Sequence, residues 1–181
     1  DGPAWTELHL IGQDGVSRPL VAGKVSIGGV HWTPDGKGLS FVTRRGDDAA
    51  PSLDVLPIDG GEARRGLSYE TGIGAYSWSP DGTRVAFLAV PPAPRERADL
   101  ERRGFNQDVF EEDEPMRRVF VAALDGSAAP RLIDVPGHAS AVEWSPAGNR
   151  LAIALAPTPL VDDDLMARRV HVVDAGTGAI V

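Results

Sequence analysis

Cysteine is absent from the 181 residues, which removes disulfides, thiolate metal sites and cysteine nucleophiles together. Compartment stays open on that count, because proteins of oxidising spaces also do without disulfides. Positive charge is scarce: 18 Lys and Arg face 26 Asp and Glu, for a formal net charge of −8. With no basic stripe to release counterions, the composition argues against nucleic acid or an anionic membrane surface as a partner. No apolar run approaches the roughly 18 residues of a membrane helix, and no stretch reads as a secretory leader. Disorder is excluded for most of the chain by 42% hydrophobic against 24% charged residues, an ordinary globular balance.

Catalytic motifs are missing too. A hydrolase nucleophile elbow places glycine two residues before and two after its serine, so that the nucleophile can sit on a strained turn. None of the ten serines has both. His9, His31, His138 and His171 form no His-Glu-x-x-His pair and keep no metal-ligand spacing; they read as turn, face or edge residues. Gly28-Gly29 and Gly72-Ile73-Gly74 lack the strand-to-helix context of a phosphate loop and read as connecting turns. The acidic runs Glu111-Glu112-Asp113-Glu114 and Asp162-Asp163-Asp164 lack the alternating ligands, glycine and terminal Glu of a calcium loop. No catalytic residue, metal or cofactor is expected within the chain.

What the chain does have is a repeat. Trp32-Thr33-Pro34-Asp35-Gly36 returns as Trp78-Ser79-Pro80-Asp81-Gly82 and, with one residue altered, as Trp144-Ser145-Pro146-Ala147-Gly148. Each copy leads into an apolar run: Leu39-Ser40-Phe41-Val42, Val85-Ala86-Phe87-Leu88 and Leu151-Ala152-Ile153-Ala154. Proline presets φ at the first corner, Asp bonds its own backbone, and Gly takes the positive φ that closes the turn. The motif therefore marks a hairpin, with each Trp expected in the core where one repeat seals against the next.

A second repeat alternates with the first: a strand, an Asp-Gly turn, a short return strand. Its copies lead to Asp14-Gly15, Asp59-Gly60 and Asp125-Gly126, with a looser fourth at Asp174 and Gly176. Both series share a period of about 46 residues, lengthened by about twenty in the middle copy, and four short strands per such period are the signature of a β-propeller blade. The fold expected is all-β: a partial propeller of about three and a half four-stranded antiparallel blades. Residues 1–23 form an outer half blade, 24–69 a blade, 70–135 a blade with an insertion at 91–116, and 136–181 a blade lacking its last strand. Fewer blades than the four to eight of a closed ring leave open strand edges. The chain is thus expected to associate with itself or with the missing blades of a longer parent.

The insertion opens with Pro91-Pro92-Ala93-Pro94, continues as a charged helix over Arg95 to Arg103 stopped by Gly104, and ends in the acidic run before Pro115. Such a segment reads first as a solvated excursion, and alternatively as a loop reaching over one face of the propeller or towards a partner domain. A shorter break with its own acids spans Pro157 to Met166.

The Trp-Ser-Pro-Asp-Gly repeat resembles those of two families: the amino-terminal propeller of prolyl oligopeptidase-family serine peptidases and the propeller of the periplasmic TolB type. The stretch Asp108 to Arg118, followed by Val119-Phe120-Val121, is similar to the acylaminoacyl-peptidase propeller segment in which an aromatic-acidic run precedes an Arg and an outer strand. The peptidase resemblance implies a parent whose α/β-hydrolase domain carries Ser, Asp and His beyond Val181. The propeller would then act as a filter that admits short peptides. It also offers Glu111 and Glu112 as candidates for holding a substrate amino terminus, as a Glu pair does in dipeptidyl peptidases. There, however, the pair precedes a Trp hairpin, whereas here an outer strand follows. The TolB resemblance implies an interaction scaffold instead, and both families favour the cell envelope or another extracytoplasmic space. A lyase or sugar-binding propeller would want a central cluster of His or paired acids, which the sequence does not offer.

Overall fold

A computed structural model describes residues 5–46, 48–105 and 114–181. The chain divides into two compact units, 1–73 and 74–181. Together they hold four antiparallel sheets of two to four strands, the blades of a partial β-propeller.

In the first unit β1 (Leu8–Ile11) and β2 (Ser17–Val21) form a two-stranded hairpin. Its turn is closed by Asp14, whose carboxylate accepts the Val16 N–H at 3.0 Å. Next comes a four-stranded meander of β3 (Ser26–Trp32), β4 (Gly38–Arg44), β5 (Ser52–Pro57) and β6 (Arg64–Leu67), paired in chain order. Phe41 and Leu53 are wholly buried in it, each large apolar side chain removed from water contributing about 1.5–3 kcal/mol.

The second unit begins with a meander of β7 (Tyr76–Trp78), β8 (Arg84–Ala89), β9 (Arg118–Ala123) and β10 (Arg131–Ile133). Phe87 and Phe120 face each other across β8 and β9, their rings stacked at 5.6 Å. Helix α1 (Arg95–Arg102) occupies the connection from β8 to β9. The last sheet has three strands, β11 (His138–Trp144), β12 (Arg150–Ala156) and β13 (Arg169–Asp174). Its fourth position holds only the bridge between Val173 and Ile180. The break after β12 contains a short helix, α2 (Val161–Met166), with Asp162, Asp163 and Asp164 in its first turn, where carboxylates suit the helix dipole. Alternation along β12 sends Leu151, Ile153 and Leu155 into one core with Leu88, Val119, Val121, Ile133 and Trp144. Among the described residues no helix is long and apolar enough to cross a membrane.

The three repeated tryptophans do not share one environment, contrary to their expected common role in the core. Trp144 is 4% exposed and Trp32 is 54% exposed, while Trp78 is half-buried. Burial depends on what lies beside each copy, and the local motif carries no information about that.

Candidate functional site

The conserved geometry of the turns accounts for the repeat without chemistry on a ligand. Thr33 Oγ1 donates to Asp35 Oδ1 at 2.6 Å and accepts the Gly38 N–H at 2.9 Å; Asp35 also accepts the Lys37 N–H at 3.0 Å. Ser79 and Asp81 repeat this at 2.5 Å, with Arg84 N–H on Ser79 at 2.9 Å and Thr83 N–H on Asp81 at 3.0 Å. Pro34, Pro80 and Pro146 occupy the corner, and Gly36, Gly82 and Gly148 close it at φ 68°, 70° and 75°. Hydrogen bonds from Ser79, then Thr83, hold the Asp81 carboxyl at about 2; Thr33 and Lys37 lower Asp35 in the same way. The third turn keeps Arg150 N–H on Ser145 Oγ at 3.1 Å but has Ala147 where the acid would stand.

Trp144 is seated by the sheet that precedes it. Ser77 Oγ accepts the Trp144 backbone N–H at 2.9 Å and donates to Glu143 Oε1 at 3.2 Å. The Arg84 guanidinium lies 4.9 Å from the indole centroid, a cation–π distance. Serine in these repeats therefore serves turns and sheet-to-sheet contacts. Ser77, Ser79 and Ser145 all spend their hydroxyls on backbone or carboxylate partners.

The polar centre that sequence reading missed lies where the excursions leave the second unit. Arg118 opens β9 opposite Ala89, the last residue of β8, and His138 opens β11 opposite Ala156, the last of β12. The excursion bearing α1 and the segment bearing α2 thus leave beside the start of β11. There Arg117 wraps His138, which is only 5% exposed. Its backbone N–H lies 3.3 Å from Nδ1, and its Nε and Nη2 lie 3.2 and 3.1 Å from Nε2. N–H donors thus approach both ring nitrogens, and a neutral imidazole, which has a single acceptor nitrogen, accepts from one side only. Burial first, then the Arg117 charge, lower the His138 pKa below its ordinary value, with Asp164 opposing. Arg118 donates to Val135 O at 2.8 Å and Asp134 Oδ1 at 3.1 Å. Its Nε, with Asp164 Oδ1 and Ser140 Oγ, is buried without a hydrogen-bond partner. The sequence signal was slight: paired arginines after an acidic run, and a histidine after the glycine that opens a strand.

The first unit has its own buried charge. Asp54 on β5 is 1% exposed. It is paired with Arg45 at 2.6 Å, approached by Arg65 at 4.0 Å, and reached by Ser52 Oγ at 3.4 Å. Arg65 also pairs with Asp48. The network is closed on itself and has the character of a structural ion cluster. His9 lies 3.1 Å from Glu7 and 3.2 Å from Ser17 on exposed surface. Among the described residues no three His, Asp or Glu side chains gather to hold a metal. Glu111 and Glu112 lie outside the described residues.

Solved structures resemble this architecture. TolB from Acinetobacter baumannii superposes with a TM-score of 0.66 at 17% identity, over 96% of this chain and 36% of its own. A prolyl endopeptidase gives 0.54 at 14% identity, over 93% of this chain and 30% of its own. Oligogalacturonate lyase from Vibrio parahaemolyticus gives 0.62 at 15% identity, over 96% and 44%. The chain therefore spans 30–44% of the length of these structures. At such identities the likeness is one of fold. No family model and no curated protein sequence matches the chain.

Proposed function

We propose that this chain is a non-catalytic propeller segment of a serine peptidase of the prolyl oligopeptidase type. In that role it gates or positions peptides for an α/β-hydrolase domain elsewhere in the parent. The observation that carries the proposal is the excursion between β8 and β9, residues 90–117, which interrupts an otherwise regular meander beside a buried Arg117–His138 contact. A blade needs only a tight turn there; a long charged segment anchored at its return end suits a loop that faces a substrate or a neighbouring domain. Ser77, Ser79 and Ser145 are engaged in turns and sheet contacts and no serine stands in a Gly-x-Ser-x-Gly elbow, so the acyl-transfer nucleophile would come from the hydrolase domain. Glu111 and Glu112 are candidate contacts to a peptide amino terminus. The remaining blades and that hydrolase domain are the partners the reading requires.

A TolB-like interaction scaffold is the second reading, supported by the TM-score of 0.66 to TolB. Fluorophosphonate labelling of the full-length polypeptide, with mass mapping of the labelled peptide, separates the two. A labelled serine outside 1–181 is expected; a folded full-length polypeptide that takes no label sinks the peptidase assignment in favour of the scaffold.

A further inference from the structure

We infer that the β1–β2 hairpin is the outer half of a blade whose inner half is a two-stranded antiparallel segment of the full-length polypeptide outside 1–181. That segment covers Trp32 with a hydroxyl side chain and a cationic one. The inference rests on the proposal that the chain belongs to a longer propeller, whichever function that propeller has.

The two units contain the same arrangement, complete in one and incomplete in the other. In the second unit β10 is tied to the sheet that follows it by Arg131, whose Nη2 donates to Ala175 O just past β13. In the first unit β2 is tied in the same way, Arg18 Nη2 donating at 3.3 Å to Ile58 O just past β5. Strands β13 and β5 are each the third of their sheet, so Arg18 ties β2 to the same strand position in the following sheet as Arg131 ties β10.

What differs is the inner pair. Strand β9 is hydrogen-bonded along its whole length to β8, and Val119, Phe120, Val121 and Ala122 are buried. Strand β1 pairs with β2 alone, and its Ile11 is 68% exposed. Val142 and Trp144 of β11 are 6% and 4% exposed beneath β7 and β8, whereas their counterparts Val30 and Trp32 of β3 are 44% and 54% exposed. An exposed indole and valine on β3, together with an unpaired edge on β1, are what remains of an inter-blade contact when the covering hairpin is elsewhere.

The counterpart contact also states the chemistry of the occupant. Trp144 receives Ser77 on its backbone N–H and Arg84 over its ring, so a hydroxyl and a cation at those two hairpin positions fit Trp32. A second copy of residues 1–181 offers no such piece. Its three hairpins of this kind, β3–β4, β7–β8 and β11–β12, are already paired through β4, β8 and β12 to β5, β9 and β13.

Hydroxyl-radical footprinting with mass mapping tests this on the 181-residue chain and on the full-length polypeptide. The expected result is several-fold heavier labelling of Trp32 in the short chain, equal light labelling of Trp144 in both, and slower amide exchange at His9 and Ile11, whose N–H groups face away from β2, in the full-length form. Equal labelling of Trp32 in the two forms overturns the inference. So does a native polypeptide no longer than 181 residues, or protection of Trp32 in the short chain that disappears on dilution, which assigns the cover to a second copy. Protection of Trp32 in a full-length polypeptide that takes no fluorophosphonate keeps this inference and removes the peptidase assignment alone.

Discussion

Ser77 and Trp144, 67 residues apart, are joined by one hydroxyl that accepts the Trp144 backbone N–H at 2.9 Å. The contact fastens β7 to β11 in a place where both residues are buried. Truncation in Ser77→Ala leaves that N–H unsatisfied and frees Glu143 Oε1, a loss of about 1–3 kcal/mol. Urea unfolding should show a lower midpoint with an unchanged slope. A midpoint equal to that of the parent chain would show that water replaces the hydroxyl.

The pH dependence of stability should carry the mark of His138. Its folded pKa is lowered by burial and by Arg117, so the unfolded chain takes up the proton first as pH falls. Its contribution is therefore fully present above the ordinary histidine value near 6.5 and is lost as pH drops through the lower folded value, at no more than about 1.4 kcal/mol per pH unit. His138→Asn removes the titrating ring and should flatten the curve in that window. Thermal melts of the two chains between pH 7 and 5 check this; parallel curves would place the acid sensitivity elsewhere.

Much of the fold was legible because turn chemistry is local. Proline, a short polar side chain and glycine within five residues determine each Trp turn, and Asp-Gly determines the turns between, so strand order follows from counting them. What decides the fate of each Trp is not local. Trp32 and Trp144 have the same motif, yet one is exposed and one is buried, because only Trp144 has an Arg84 and a Ser77 beside it. The Arg117–His138 contact was illegible for a related reason. Arg117 precedes β9 and His138 opens β11 of the next sheet, 21 positions on, and neither carries a periodic signal.

The altered third turn makes a natural comparison. Asp81 accepts bonds from Ser79 and Thr83 and its carboxyl sits at about 2, whereas Ala147 supplies no acceptor. Asp81→Ala should lower the melting temperature, and Ala147→Asp should raise it by restoring the bonds on the Ser145 side. The Asp81 effect should be present above the ordinary carboxylate value of 3.8 and fade as pH falls towards 2, since the folded pKa is the lower one. Calorimetry at pH 7 and pH 3 distinguishes this from a pH-independent packing effect.

Buried charge in the first unit gives a test of a different kind. Arg45 neutralises Asp54, which is 1% exposed, at 2.6 Å, and Arg65 stands farther off at 4.0 Å. Arg45→Met keeps the aliphatic stem but removes the nearer cation, leaving a desolvated carboxylate with a distant partner, a loss of roughly 2 kcal/mol. Urea unfolding should show the lower midpoint, and a midpoint equal to that of the unaltered chain would show that Arg65 neutralises Asp54 unaided.

Gly137 brings the chain into β11 at φ 107°, and a Cβ there would stand 2.6 Å from Ala156 O. Backbone, not a flexible side chain, is what it would strike, so neither partner can yield cheaply. Gly137→Ala combines that clash with a φ that L residues rarely adopt, a cost of at least about 1–3 kcal/mol. The displacement would fall next to His138, so the substitution should also loosen the Arg117 contact. Amide exchange should then quicken at Ala139, whose N–H bonds Arg117 O at 2.9 Å. Gly148→Ala, at φ 75° with Pro80 Cδ 3.7 Å from the added carbon, shares the unfavourable φ without the clash. The excess destabilisation of Gly137→Ala over Gly148→Ala then measures the close approach to β12, and equal losses would assign the whole effect to φ.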